Sequence, residues 1–316
     1  MAGAGRVTLR ANALRTTRAR LLERIAAQGV RAVPTAESPW GIWLPDGRPP
    51  GGGVWHLPGW EEGLFEVQDE GSQLIALATE AKPGERVLDY CAGRGGKTWA
   101  LASLVAPGGL VEAWDVDAEA KRHVAGLRAA RNGAAGLVRV LDDAPAPSGT
   151  VLADAVLVDA PCSSTGALRR HPSQRWAVDE VGVERLTAIQ LAILREASQL
   201  VRPGGRLVYA TCSLLRAENG CVAEAFEASA EGAEFDPLPF GVLSGPPVAA
   251  AVGPPAPCHQ RTLLPSVEGT DGFFVARWQR RTSETGACSR RADHVAGGDA
   301  AGDAATDVGI AGSVGE

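Results

Sequence analysis

No run of about 18 uncharged apolar residues occurs in the 316-residue sequence, so no helical membrane span is expected. Cysteine is sparse and irregularly placed: the residues at 91, 162, 212, 221, 258 and 288 form no C-x-x-C pair and join no His/Cys cluster at zinc-ligand spacing. A metal site is therefore not expected, and reduced intracellular thiols are the default. The first residues, MAGAGRVTLRANALRTTRAR, lack the apolar core of a secretory signal. A cytoplasmic location is therefore expected, and because these residues are rich in arginine and poor in acids an organelle transit peptide stays open. An internal repeat of useful length is also missing.

The stretch Asp89 to Thr98, DYCAGRGGKT, ends as a phosphate-binding P-loop does, but it lacks that loop's first glycine. In G-x-x-x-x-G-K-[ST] that glycine would fall at position 91, which is Cys91, so the backbone cradle for phosphates is not encoded. The G-x-G-x-x-G of dinucleotide folds is missing as well.

What is present starts with an uneven distribution of charge. The formal net charge is −6, which on its face disfavours a nucleic-acid partner. From Ser283 onward, however, six acids face two arginines in an Ala-, Gly- and Asp-rich stretch without periodicity, expected to be a disordered tail over 283–316. The first 31 residues carry seven arginines (Arg6, Arg10, Arg15, Arg18, Arg20, Arg24 and Arg31) against Glu23 alone. A basic end of this kind is the usual footprint for a phosphate backbone, and a solvated helix face is its bland alternative.

With 45% hydrophobic residues the chain can bury one main domain of about 200 residues and a smaller appendage. VTLRAN and Thr16 to Gly29 predict a strand and a helix in a small α+β unit over 1–62, and PDGRPPGGG reads as a loop. Over 63–282 short apolar runs alternate with helical stretches: strands at RVLDY, LVEAW, LVRVL, DAVLVDA, PGGRLVYATCS and GFFVARWQ, and helices at Lys97–Val105, Asp117–Arg131, Val183–Val201 and RAENGCVAEAF. In the long helix, Leu186, Ile189, Ile193, Ala197 and Leu200 are expected to form one apolar stripe. Such alternation predicts an α/β fold with a parallel sheet covered on both faces. Ligands of these sheets sit beyond the carboxyl ends of the strands, and the unusual residues fall there: Asp89 and the glycine loop, Asp115, Asp142, Asp159-Ala-Pro-Cys162 and Thr211-Cys212-Ser213.

Glycines after a first strand, with an acid ending the second, suit a cofactor that carries ribose and adenine. Asp115 can accept hydrogen bonds from both ribose hydroxyls. S-adenosylmethionine has no phosphate, and its methionine end needs only the close backbone approach that Gly93, Gly95 and Gly96 permit. The loop residues Cys91, Ala92, Gly93, Arg94, Gly95, Gly96 and Lys97, together with Asp115, Asp142 and Asp159, are the expected cofactor-binding set.

DYCAGRGGKT, VLVDAPCSSTGALRRHP, YATCS and LLPSVEGTDGFF, with VQDEGSQL ahead of them, resemble successive signatures of the RsmB/Nop/Sun family of RNA cytosine-C5 methyltransferases, from about Arg6 to Arg280. The resemblance implies a class I, Rossmann-like methyltransferase fold with a mostly parallel seven-stranded sheet. It also implies S-adenosylmethionine as donor and single-stranded or loop RNA as substrate, rRNA before tRNA, with no membrane, no metal and a monomeric chain. Carbon 5 of cytosine is too weak a nucleophile to take a methyl group unless a thiolate first adds to carbon 6. The family assigns that thiolate to the T-C-S cysteine, here Cys212, and implies that Cys162 helps resolve the adduct. In DNA cytosine methyltransferases the Pro-Cys cysteine attacks instead, so the two roles stay open to exchange. Asp159 is expected to hold the amidine edge of the base, and Lys97 to point toward the reaction centre. Asp142 and Asp143 would meet the adenine edge, while Arg169, Arg170, His171 and Arg175 would hold the RNA backbone. Cys91, Cys221, Cys258 and Cys288 are read as small buried residues, Cys91 lining the cofactor loop.

Where the family usually carries Ala-Pro, this chain has Gly93-Arg94, a departure that bears on donor affinity and activity. Relatives with an added helical RNA-binding domain have a longer N-terminal region, so target choice is expected to rest on the small basic unit. Two rivals stand beside methylation of RNA: a catalytically impaired ribosome-assembly factor of the same fold, and a small-molecule methyltransferase, which would not need the thiol pair.

Overall fold

In the computed structural model the described residues are 5–49, 51, 53–125, 127–148, 151–240, 259–267 and 269–282. The expected disordered tail, Cys258 and Cys288 lie outside them.

The segment from Val7 to Val67 holds an antiparallel sheet of four short strands, β1 (Val7–Ala11), β2 (Val33–Pro34), β3 (Gly41–Leu44) and β4 (Phe65–Val67), in the order β2-β3-β1-β4. Helix α1 (Arg18–Ala26) covers it. The Thr17 side chain caps α1 by accepting from the Arg20 N–H, and Leu21 and Ile25, one turn apart, are buried with Leu9, Ile42 and Phe65. Sequence periodicity predicts only the first strand and the helix here. The other strands are two to four residues long, too short to show alternation.

After α2 (Glu70–Leu77) comes the large sheet: β5 (Arg86–Asp89), β6 (Leu110–Ala113), β7 (Val138–Val140), β8 (Ala153–Asp159), β9 (Val201–Thr211), β10 (Phe235–Pro237), β11 (Gln260–Leu263) and β12 (Phe273–Arg280). Its order is β10-β12-β9-β8-β5-β6-β7. The pairs among β5 to β9 are parallel. β12 runs antiparallel against β9, and the expected seven strand positions are filled with β10 and β11 both pairing along the outer edge of β12. The helices are α3 (Gly96–Val105), α4 (Ala118–Ala125), α5 (Leu127–Asn132), α6 (Glu180–Ser198) and α7 (Gly220–Glu227).

Both sheet faces are covered, which is why the central strands read as continuous apolar runs. Along β8, Ala155 and Leu157 pack with Trp99 and Leu101 of α3, while Val156 and Val158 pack on the opposite face with Leu194 of α6 and Phe226 of α7. The helix predicted over Asp117–Arg131 is described as helical over Ala118–Ala125 and Leu127–Asn132. One expectation is corrected. The buried stripe keeps Ala197 and, just past the end of α6, Leu200, with Ile193 partly buried, but it passes through Gln190 and Leu194 and leaves Ile189 37% exposed. Gln190 is buried because its side-chain amide donates to the Pro161 carbonyl at 2.9 Å and to Glu218 at 3.0 Å, an anchor no count of apolar residues can show.

The small sheet is joined to the end of α5 by a buried polar knot. Asn12 Nδ2 donates to the Gly63 and Asn132 carbonyls, Asn132 Nδ2 donates to Glu66 at 2.9 Å, and Arg131 pairs with Glu66 while lying 3.6 Å over the Trp60 ring. Removing one partner of a buried ion pair strands the other. Glu66→Ala should therefore lower unfolding free energy by about 3 kcal/mol, seen as a lower urea midpoint at unchanged slope. A loss under about 1 kcal/mol, the scale of a surface pair, would contradict the knot's importance.

Candidate functional site

The strand order reverses around β5, and the crevice beyond the carboxyl ends of β5 and β8 is where a ligand of such a sheet lies. β5 ends on Asp89, and the chain then turns through Cys91 to Gly95 into α3. Gly93 and Gly95 take φ values of 51° and 80°, the left-handed region that glycine enters without strain. The Gly93 N–H donates to Asp115 Oδ2 at 2.8 Å, and Asp115 Oδ1 accepts from the Asp117 N–H at 2.8 Å. The carboxylate that ends the second parallel strand is thus oriented by the glycine loop itself. A side chain at Gly93 would meet nothing within 4 Å, and one at Gly96 only Gln68 Nε2 at 3.9 Å, so the loop is open beside the crevice. Ala92 and Gly95 are buried under it, and Arg94 is exposed. Asp142 is also exposed, its carbonyl accepting from Lys121 Nζ at 2.5 Å.

On the other side of the crevice, Lys97 from the first turn of α3 reaches Asp159 at the end of β8, with Nζ 2.5 Å from Oδ2. Burial works against the ammonium, but the Asp159 carboxylate overrides it and raises the Lys97 pKa, so this lysine stays charged. Cys162 follows β8 and Cys212 follows β9, and their sulfurs lie 3.3 Å apart in a hydrogen bond between two free thiols. Ser164 Oγ is 3.4 Å from the Cys212 sulfur. The Cys162 hydrogen bond brings the Cys212 thiol down from 9.0 to about 7; Ser164 and Lys97 add to this, and burial and Asp159 oppose it. Cys162 is driven upward, first by the same hydrogen bond and then by burial. One of the two sulfurs is therefore ready to ionise at neutral pH, and the extra hydroxyl and ammonium favour Cys212. Cys91 stays a thiol, pushed up by burial and then by Asp159, Asp89 and Asp115.

The loops that carry the sulfurs are laced backbone to backbone. The Gly166 N–H donates to the Cys212 carbonyl at 2.9 Å, and the Gly272 N–H to the Gly166 carbonyl at 2.9 Å. A Cβ on Gly166 would lie 2.1 Å from the Gly272 oxygen, so the glycines of SSTG and TDGF are needed for close approach.

All four expected chemical residues, Cys212, Cys162, Asp159 and Lys97, meet at one edge of the sheet. The expected RNA contacts divide. Arg169 and Arg170 pair with the buried Asp271 and tie the Cys162 loop to the segment before β12, whereas His171 and Arg175 are exposed. Arg175 lies 4.4 Å over the ring of Trp176, which is 79% exposed and was not singled out from sequence. In the N-terminal segment much of the positive charge is engaged internally. Arg15 and Arg18 donate to the Ala130 and Ser38 carbonyls, Arg10 is buried against Gln68, and Arg24 and Arg31 pair with Glu62 and Asp46. Sequence reasoning also missed Glu218, read as an ordinary residue of a helix. Among the described residues, no three His, Cys, Asp or Glu side chains are grouped to hold a metal, and no helix is long and apolar enough to cross a membrane.

The family model for the 16S rRNA methyltransferase RsmB/F matches residues 76–279. The ribosomal RNA small subunit methyltransferase B of Pseudomonas syringae pv. tomato is 38% identical over 283 residues, covering 85% of this chain and 58% of that protein. A probable protein of the same name from Bacillus subtilis is 34% identical over 279 residues, covering 87% and 60%. This chain thus spans between half and two thirds of the length of these relatives. A methyltransferase homologue from Pyrococcus horikoshii matches in structure with a TM-score of 0.71 at 28% identity, covering 88% of this chain and 87% of that one.

Asp89 underlies the crevice and is fully buried. Its Oδ2 accepts from Thr98 Oγ1 at 2.7 Å, and Oδ1 has no partner among the described residues. Burial raises its pKa from 3.8 to about 7, and Thr98 pulls the other way. A carboxyl group whose pKa rises on folding binds its proton more tightly in the native state, so stability falls as pH climbs from about 4 to about 7. Asp89→Asn should flatten that part of the stability curve, measured by urea unfolding at successive pH values. An unchanged slope would show that Asp89 is not the group responsible.

Proposed function

Because the chain belongs to the RsmB/F family of 16S rRNA methyltransferases, we propose that it methylates carbon 5 of a cytosine in small-subunit rRNA through a covalent adduct with Cys212. The observation that carries this reading is the pair of thiols 3.3 Å apart beside a lysine–aspartate pair. Transfer to oxygen or nitrogen would use neither sulfur.

S-adenosylmethionine is the methyl donor, and when bound it supplies an electrophilic methyl group on a sulfonium. The residues fit it: Gly93 and Gly96 leave room beside the loop for its methionine half, and Asp115 is oriented to accept from its ribose hydroxyls. Val116, 86% exposed immediately after Asp115, offers an apolar surface to the adenine. Asp142 at the end of the third parallel strand is read as the adenine-edge contact.

The chemistry then follows from the chain's own groups. The Cys212 thiolate adds to carbon 6, the carbon 5–carbon 6 π pair shifts toward carbon 4 and displaces the carbon 4–N3 pair onto N3, N3 takes up a proton from water, and the Asp159 carboxylate accepts a hydrogen bond from the N3–H. Asp159 also accepts from the exocyclic amine, and its ion pair with Lys97 holds it in place. Carbon 5, now an enamine carbon, would form its bond to the methyl group as the donor's sulfur–methyl bond breaks and that electron pair stays on sulfur. The carbon 5 proton must next leave, so that the double bond re-forms and the Cys212 thiolate departs. Cys162 is suited to this step for an electrostatic reason. Its thiol is held protonated chiefly by the hydrogen bond it gives Cys212. Once Cys212 is bonded to carbon, that constraint is gone, and Cys162 ionises more readily beside the adduct. A base that reaches this crevice has to leave the stack, which single-stranded or loop RNA permits at least cost.

The test is one denaturing gel of wild type, Cys212→Ala, Cys162→Ala and the double variant, each incubated with a small-subunit rRNA transcript and S-adenosylmethionine. Cys162→Ala should accumulate a protein–RNA conjugate, because it attacks and methylates but does not release. Cys212→Ala should give neither conjugate nor methylated RNA. A conjugate in Cys212→Ala and none in Cys162→Ala would exchange the roles.

A further inference from the structure

Glu218 is a fully buried carboxylate that makes no ion pair among the described residues. It lies in the short turn Arg216–Glu218 between Cys212 and α7. Oε1 accepts from the Ser163 N–H at 2.8 Å and from Gln190 Nε2 at 3.0 Å, while Oε2 accepts from Ser213 Oγ at 2.5 Å and from Ser163 Oγ. The backbone around it is fastened too: Tyr209 Oη donates to the Glu218 carbonyl at 2.6 Å, and Asn219 Nδ2 to the Ser213 carbonyl at 2.9 Å. Ser163 directly follows Cys162, and Ser213 directly follows Cys212. One carboxylate thus grips the residue next to each sulfur, on loops from two different strands, with α6 as the third support.

We infer that Glu218 is a positioning residue that holds the Cys162 and Cys212 loops so that the two sulfurs touch, and so controls the reactivity of Cys212. The inference rests on the proposed thiol chemistry for its significance, but not for its test. A buried charge without a cation is costly, and an apolar side chain of similar size would serve packing as well or better. It could not fasten two serines at once, whereas charge-assisted hydrogen bonds are short and directional. The groups facing Cys212 are Cys162 and Ser164 on the neighbouring loop, Asp159 at the end of β8 and Lys97 from α3. Of these, Cys162 depends for its place on the Glu218 clamp.

Charge and positioning act in opposite directions, and this makes the inference testable. If Glu218 mattered to Cys212 only through its negative charge, removing it would make the thiol easier to ionise. If it holds the sulfurs together, removing it costs Cys212 the hydrogen bond from Cys162, and ionisation becomes harder. The experiment follows iodoacetamide alkylation of Cys212 in the full chain, quantified on its peptide by mass spectrometry, from about pH 5 to about pH 9. It compares wild type, Glu218→Gln, Glu218→Ala, Cys162→Ala and the Cys162→Ala/Glu218→Ala double variant, with folding checked by circular dichroism and S-adenosylmethionine binding.

The limb in Glu218→Ala should move up by about one pH unit or more, a roughly tenfold slowing at pH 7. Cys162→Ala should move it upward as well, the double variant no further, and Glu218→Gln less, since its amide oxygen still accepts. A folded Glu218→Ala with an unmoved or lowered limb, or shifts that add in the double variant, would overturn the inference. If Glu218→Ala does not fold, Glu218→Gln decides: an upward shift supports the clamp, and a limb identical to wild type overturns it. No RNA enters this measurement. Failure of the cytosine reading would appear separately, as a missing conjugate on the gel with the thiol titration intact.

Discussion

The contact between two sulfurs from different strands is the constraint on which the rest of the site depends. Neither thiol alone would ionise readily in this half-buried crevice, because burial disfavours the charged form. The hydrogen bond between them separates their behaviour, lowering Cys212 and raising Cys162. Everything close to the pair keeps it in register: the Glu218 clamp, the backbone bonds among Cys212, Gly166 and Gly272, and the Arg169 and Arg170 ties to Asp271. These are short-range polar and steric devices on loops. They are supported by a sheet whose two covered faces leave its strand ends nowhere to drift.

In the proposed reaction the sheet is what brings donor and base together. β5 and β6 carry the glycine loop and Asp115, β8 and β9 carry the two thiols, and Lys97 and Asp159 span the gap between the two halves. The small N-terminal sheet bears on this arrangement through Arg131, Glu66 and Asn132, and through Asp69, which caps α2 and accepts from the Asp271 N–H at 3.1 Å. Arg15, Arg18, Arg24 and Arg31 are engaged within the protein, whereas Arg175 and Trp176 stack with each other and are exposed.

Much of this was legible in the sequence because the relevant signals are local. Short runs rich in apolar residues mark the parallel strands, and DAPCSSTG and TCS mark the thiols without any knowledge of distance. What was not legible depends on long-range pairing. Glu218 sits 55 residues from Ser163 in sequence, and Asp271 lies 101 residues from Arg170, so neither leaves a periodic trace. Gln190 displaced the expected stripe of α6 because an amide looks polar in sequence, whereas the partners its NH2 group finds in Pro161 and Glu218 exist only in three dimensions. The three short strands of the N-terminal sheet escaped for a different reason, being too brief for alternation to show.

The central claim is that methyl transfer takes place at carbon 5 through an adduct at carbon 6. It is tested most directly with a small-subunit rRNA transcript carrying tritium at carbon 5 of its cytidines, incubated with the wild-type chain and S-adenosylmethionine labelled in its methyl group. The account predicts tritium release to water in step with methyl incorporation, one for one, and the loss of both in Cys212→Ala. Methyl incorporation without tritium release would place the methyl group on another atom and contradict it.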